Sequence, residues 1–340
     1  MSLWSDQRAA ELARIWGLSG ALTRLTGERD TNFRLDEADG SQWVLKISHP
    51  EEDPSVGAFQ AEALIHVGVR DPGLPVPRVR PTTDGRPWHR LDANDTPDGH
   101  ARLVRVVGWM EGVPAASRPQ GPRSRAALGR VMARLDKALA DFSHPAQDHD
   151  LVWDLSRAHE LRDRLDHIGD ADLRRLTSDV LEAHAADWGP RAAALRRQVI
   201  HNDMNPHNIL MDPAADDRLA GIIDFGDMVA APLVNELGVA LSYQPTDGAH
   251  PLAAAGEVLA AYHAVFPLTD AEFAVLPGLI RTRMAATVAT SHWLAFKRPE
   301  NRDYLLRNMP RAAAGLARLA ALPEAEAAAS LRRACAIQEV

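Results

Sequence analysis

The chain holds a single cysteine, Cys335, so no disulfide can close within it, and a position so near the C-terminal end argues against a catalytic thiol. We expect an ordinary thiol beside a mobile tail. Long apolar runs are missing too: nothing approaches the roughly 20 consecutive apolar residues of a spanning helix. Asp6, Arg8, Glu11 and Arg14 interrupt the N-terminal segment, which excludes a secretory signal or anchor there. Cytoplasmic residence and no membrane partner are the expectation. An excess of positive charge is also lacking. A formal charge of −8 and a pI near 6.0 exclude a dedicated nucleic-acid face, which needs clustered basic residues. A small-molecule partner fits this balance better, whereas oligomeric state leaves no mark in the sequence. Lysine is almost absent: Lys46, Lys137 and Lys297 are the only ones, and arginine carries the remaining positive charge.

What is present is length enough for a large core, in one bilobal unit or two domains. Its most informative stretch runs from Val199 to Asp227. Two apolar runs there, 208–211 and 219–223, flank a segment with turn chemistry at 213–217, so they should pair as antiparallel strands. The start of the first strand then lies beside the end of the second. Asn208 and Asp224 meet as hard oxygen ligands of the kind Mg²⁺ takes. Asp203, on the loop feeding the same end, stands where a base that orients a hydroxyl must be.

The string His201-x-Asp203-x-x-x-x-Asn208, followed by Ile223-Asp224-Phe225-Gly226, resembles the catalytic loop and metal motif of protein-kinase-like small-molecule kinases, the aminoglycoside phosphotransferase and choline kinase group. Residues 221–228 and 232–243 are most similar to the hydroxylysine kinase branch. The resemblance implies an α+β, protein-kinase-like bilobal fold with a small antiparallel-sheet lobe at 1–107, a hinge at 108–112 and a mostly helical lobe at 108–340. It implies ATP and Mg²⁺ as cofactors, Asp203 as catalytic base, and Asn208 and Asp224 as metal ligands. His201 packs to shape the loop and Glu236 anchors it. The acceptor is a hydroxyl of a small amino-bearing metabolite, tilted toward hydroxylysine or another hydroxy amino acid. Homoserine, aminoglycosides and amino alcohols stay open, because fold does not choose among them.

Elements are expected to follow that plan. Strands at 21–25, 31–35 and 42–47 form a meander with a turn at Asp39-Gly40. A helix at 56–69 and strands at 77–80 and 100–107 complete a five-stranded sheet. Val107, Trp109 and the free backbone groups of the hinge would meet an adenine edge. Helical periodicity then marks 123–142, 155–167, 171–186, 191–198, 252–265, 270–297 and 301–336.

Lys46 lies mid-strand on the face opposite Trp43, Leu45 and Ile47. Glu62 interrupts the apolar stripe of its helix made by Ala58, Phe59 and Ile65. An ion pair between them resolves both anomalies and, by the resemblance, holds the α- and β-phosphates. A solvated Glu62 on a helix edge is the alternative. The phosphate loop at 26–33 has only Gly27, so Asp30, Thr31 and Asn32 either supply side-chain donors or make a turn. Asp227 is open among a second metal ligand, a partner for a substrate ammonium and a helix N-cap. Arg281 and Arg283, with Trp293, Asn301 and Tyr304, are candidates for the substrate side, where a guanidinium would clamp a carboxylate.

Two rivals remain. His201-x-Asp203-x-x-x-His207 matches fragments of metallohydrolase sites, but no second compact histidine motif follows, and Asn208 and Asp224 are unexplained by hydrolysis. A catalytically silent nucleotide-binding module is the other, against which the intact base, metal and lysine positions count.

Overall fold

The computed structural model describes residues 4–336 except Glu28 and Asp216. Ser5 accepts from the Arg8 N–H and so caps α1 (Asp6–Ala13). This helix buries Ala9, Leu12 and Ala13, with Trp16 beyond it, against an antiparallel sheet. β1 (Ala21–Leu25), β2 (Thr31–Asp36) and β3 (Gln42–Ile47) form the expected meander. Period-two alternation sends Phe33, Leu35, Leu45 and Ile47 into that core and leaves Lys46 on the other face. Asp53 accepts from the Ser55 N–H and Pro54 opens α2 (Pro54–Arg70).

β4 (Val79–Arg80), β5 (His89–Leu91) and β6 (Arg102–Gly108) finish the sheet, in the order β1-β2-β3-β6-β4 with β5 also on β6. It has six strands rather than the expected five. β5 escaped because three residues are too few to show alternation.

β7 (Val113–Pro114) leads to α3 (Pro122–Leu139), and the stretch Leu155–His167 winds as a 3₁₀ helix. α4 (Ala171–Ala192) absorbs the start of the helix expected at 191–198. The last two residues of that segment instead open β8 (Arg197–Ile200), whose residues pair with a strand far along the chain, so tertiary pairing overrides local helical preference.

The hairpin is β9 (Ile209–Met211) and β10 (Leu219–Ile222), in register Ile222↔Ile209, with β7 added to β9. β11 (Val229–Pro232) is the partner of β8 and runs into the fully buried α5 (Val234–Ser242). α6 (Ala253–His263) and α7 (Asp270–Lys297) follow; a capping box between Thr269 and Glu272 starts the latter. The single helix expected at 301–336 is three: α8 (Arg302–Leu306), α9 (Met309–Ala320) and α10 (Glu324–Ala336). Pro310 near the start of α9 and Pro323 before α10 break the run, as a residue with no N–H must.

The helices bury one large core that also takes Phe59, Ala63 and Val67 from α2, while the sheet and α1 bury a second. Cys335 packs in the helical core on α10. Among the described residues no helix is long and apolar enough to cross a membrane.

Candidate active site

The loop between β8 and β9 is held by buried polar contacts that fix its shape before any ligand arrives. Asn202 adopts φ +64°, a left-handed conformation that a branched side chain would resist. Its N–H donates to Glu236 Oε2 at 2.9 Å, which ties the loop to α5. Burial pushes the Glu236 carboxyl up to about 7, against the pull of the two loop N–H groups that it accepts. His201 is fully buried, edge-on to Phe225 with ring centroids 4.6 Å apart. Asp203 N–H donates to His201 Nδ1 at 3.2 Å, so Nε2 carries the proton and donates to Ile223 O at 3.1 Å. Burial keeps this imidazole neutral. It bridges the loop to the end of β10 rather than binding a metal.

Asp203 therefore enters the cleft from a rigid base. Its Oδ2 accepts from Asn208 Nδ2 at 2.7 Å and Asn205 Nδ2 at 2.8 Å, while Oδ1 lies 3.3 Å from Arg283 Nη2. Asn208 is held by the hairpin, for its carbonyl accepts from Ile223 N–H at 2.9 Å. Its amide nitrogen is used by Asp203, which leaves the amide oxygen for a cation. Asp224, also left-handed at φ +62°, sits where β10 ends, with 56% of its side-chain surface open to the cleft. Its Oδ1 is 3.7 Å from Lys46 Nζ. Burial opposes the charged form there, but Lys46, His201, the Gly226 N–H and Arg105 together outweigh it and hold the carboxyl below the usual range. One amide oxygen and one carboxylate, with room for phosphate oxygens, match how Mg²⁺ is usually bound. Among the described residues no group of three or more His, Cys, Asp or Glu could hold a metal ion, and a zinc hydrolase would need such a donor set.

Lys46 is not paired with Glu62. Its neighbours are Asp224 and Asp30, the latter at 3.9 Å, whereas Glu62 is 45% exposed and lies 3.7 Å from His144 Nε2. The residue of α2 that reaches the site is Gln60. It is buried, accepts from Arg105 Nη2 and donates to Gly226 O at 3.2 Å, so α2 grips the turn after Asp224. Arg105 also lies 3.6 Å from Asp30. Asp30 thus gathers two cations of the sheet, Lys46 of β3 and Arg105 of β6. Sequence reading offered it only as a loop donor; Gln60, a polar side chain between Phe59 and Ala61, was a signal not used.

The other nucleotide-side candidates are placed as follows. Gly27 closes a tight turn, since a Cβ there would stand 2.8 Å from Asp30 O. Thr31 and Asn32 begin β2 opposite Ile47 and Lys46, where they are strand residues rather than a backbone cradle. Val107 is buried and pairs with Val44. Two of the backbone donors expected to be free at the hinge are taken: Gly108 N–H by Arg78 O at 2.8 Å and Trp109 N–H by Gln42 O at 3.0 Å. Extension of the sheet edge by one residue used them.

Beside Asp203 opens a cleft lined by Trp153, Asp227, Tyr243, Arg283, Ser291, Tyr304 and Arg307 among others. Burial, together with the Asp203 and Asp224 carboxylates, pushes Asp227 up to about 8. Arg283 is only 2% exposed and spans Asp203, Trp153 O at 3.3 Å and Tyr243 OH at 3.5 Å, with its guanidinium 4.8 Å from the Trp153 ring. It braces Asp203, so its guanidinium is committed to protein partners rather than free for the carboxylate clamp expected of it. Arg281 bonds Leu322 O and faces a separate groove. Trp293 is outside the cleft lining, under the Arg164 guanidinium at 3.9 Å. Tyr304 lines the cleft. Trp153, Asn205 and Arg307 carried no sequence signal, because only the fold brings them to Asp203.

Residues 21–268 match the model of a phosphotransferase enzyme family, abbreviated APH. The chain is 27% identical over 315 residues to hydroxylysine kinase of Danio rerio, covering 90% of this chain and 88% of that one. It is 32% identical over 274 residues to homoserine kinase of Methylobacillus glycogenes, covering 80% and 78%. In structure it resembles a microcompartment-associated aminopropanol kinase, with TM-score 0.69 and 20% identity over 92% of this chain and 96% of that one. An amicoumacin kinase in complex with AMP-PNP, Ca²⁺ and Ami gives TM-score 0.68 at 15% identity, covering 94% and 95%.

Proposed function

The chain belongs to the phosphotransferase enzyme family and is a small-molecule kinase, and from that premise we propose that it moves the γ-phosphoryl group of ATP to a hydroxyl of a small amino-bearing metabolite. A hydroxy amino acid or amino alcohol is the favoured acceptor, because relatives over about 90% of the chain are hydroxylysine kinases and others are homoserine kinases. The observation that carries the chemistry is the bonding of Asp203. With Oδ2 fixed by Asn205 and Asn208, the carboxylate meets the cleft in one orientation beside Arg283.

In the proposed reaction the acceptor hydroxyl lies against Asp203, its oxygen bonds to the γ-phosphorus, the bond from that phosphorus to the ADP oxygen breaks, and the hydroxyl proton passes to Asp203. Asn208 and Asp224 would hold Mg²⁺, which when bound supplies neutralising charge to the phosphates. Lys46, between Asp30 and Asp224, would hold the phosphates from the sheet side. The nucleotide would lie between a small lobe at 1–107 and a helical lobe at 108–340, turning about 108–112, with Val107 and Trp109 near the base. Asp227 faces the acceptor and offers a partner for its ammonium. The test is ADP release over hydroxylysine, homoserine, amino alcohols and aminoglycosides, with and without Mg²⁺. Release that needs both an acceptor and the metal supports the proposal, and no release with any acceptor removes it.

A further inference from the structure

We propose that Arg307 binds a carboxylate of the acceptor, so that this cleft is built for a hydroxy amino acid and not for a plain amino alcohol; the inference rests on the phosphotransferase reading of the same site. Arg307 ends α8 and lines the Asp203 cleft together with Asn308, Ser291 and Thr287. Its guanidinium stacks over the Tyr304 ring at 3.6 Å, and it is exposed. Stacking fixes the plane of the fork while leaving its N–H edge for a ligand, the arrangement in which arginine takes a carboxylate through two parallel bonds. Among the described residues no carboxylate lies within ion-pair distance of Arg307. The other arginine of the cleft differs in each respect: Arg283 is buried and committed to Asp203, Trp153 O and Tyr243 OH.

The polarity of the cleft sets the direction of the ligand. Of its lining residues Arg307 is exposed, whereas Asp203 and Asp227 are partly buried. A carboxylate placed inward would face two acids whose own proximity already raises Asp227; placed outward, it meets an uncompensated cation. The hydroxyl and ammonium then point inward, where Asp203 can take the hydroxyl proton.

The experiment compares matched acceptors on the full-length protein: hydroxylysine against its decarboxylated amine, and homoserine against its own. Whichever pair is used, the wild-type enzyme should prefer the carboxylated member. Arg307→Gln should raise KM for that member about ten- to a hundred-fold, as loss of a charged hydrogen bond does, with a smaller change in kcat, and should leave the decarboxylated member nearly unaffected. Arg307→Lys should recover part of the loss. Equal effects on both members, no effect on either, or a wild-type preference for the decarboxylated acceptor would overturn the assignment. If the wild type releases ADP with none of the acceptors tested, the phosphotransferase reading itself fails and takes this inference with it.

Discussion

Asn208 donates from its amide nitrogen to Asp203 Oδ2 at 2.7 Å and to Asp203 O at 3.0 Å. One side chain thereby fixes the proposed base and leaves its own oxygen for the proposed metal, so the two proposed positions are mechanically one unit. Asp203→Asn keeps the shape and removes the proton acceptor. We expect kcat to fall by about 10²–10⁴-fold, the usual worth of general base catalysis, with ATP affinity by calorimetry little changed. A rate within a few-fold of wild type would remove Asp203 from the role.

Lys46 next to Asp30 and Asp224, with Glu62 elsewhere, separates two accounts of the phosphate site. Lys46→Ala should raise KM for ATP strongly, and Asp30→Asn should raise it as well by releasing the lysine and Arg105 from their common partner. Glu62→Gln, at an exposed helix position, should leave it within about two-fold. If Glu62→Gln proves as harmful as Asp30→Asn, the ion pair expected from sequence forms during turnover after all.

How much of this was legible in advance follows from where each signal resides. The meander at β1 to β3 and the bounds of α7 follow from period-two alternation and from helical periodicity, both local. The hairpin that joins Asn208 to Ile223 was legible for the same reason: two apolar runs and a turn lie within one short segment. Pairings across long separations were not. Glu62 was matched to Lys46 because both were anomalies in their own elements, yet Gln60, two positions earlier, is the residue the helix presents to Gly226. Arg283 looked like a clamp only while its partners on other elements, Trp153 and Tyr243, were unknown. β8 went unseen because its partner β11 lies beyond the hairpin.

Glu236 gives a pH prediction with a definite sign. Its carboxyl is raised to about 7 in the fold by burial, above the roughly 4.3 of an unfolded chain. The protonated form is therefore favoured by folding. The contribution is full below the unfolded value and is lost as pH climbs from there through about 7. Glu236→Gln carries no charge to desolvate, so its stability relative to wild type should improve by an amount on the order of 3 kcal/mol between acid and neutral pH. Urea unfolding at several pH values measures it, and a difference that does not vary with pH would contradict the buried-acid account. Activity should fall at every pH, since a carboxamide is a weaker acceptor for the Asn202 N–H that shapes the catalytic loop.

Gly129 in α3 and Gly278 in α7 test whether packing or propensity decides the core. Helical propensity alone favours Ala over Gly by about 1 kcal/mol at either site. At Gly129 a Cβ would stand 2.2 Å from Val258 O and 2.9 Å from Tyr262 N, both backbone atoms of α6 that cannot rotate away. The two helices would have to move apart along their contact, and overpacking of that kind costs about 1–3 kcal/mol. At Gly278 nothing lies within 4 Å of the added carbon. Gly129→Ala should thus lower the thermal midpoint while Gly278→Ala raises it slightly. Displacement of α6 also tilts Tyr262, whose hydroxyl donates to Asp136 Oδ2 at 2.6 Å beneath the loop anchor, so Gly129→Ala should lose activity along with stability. Equal, small stabilisation by both substitutions would mean that α3 and α6 are not in the close contact that Gly129 permits.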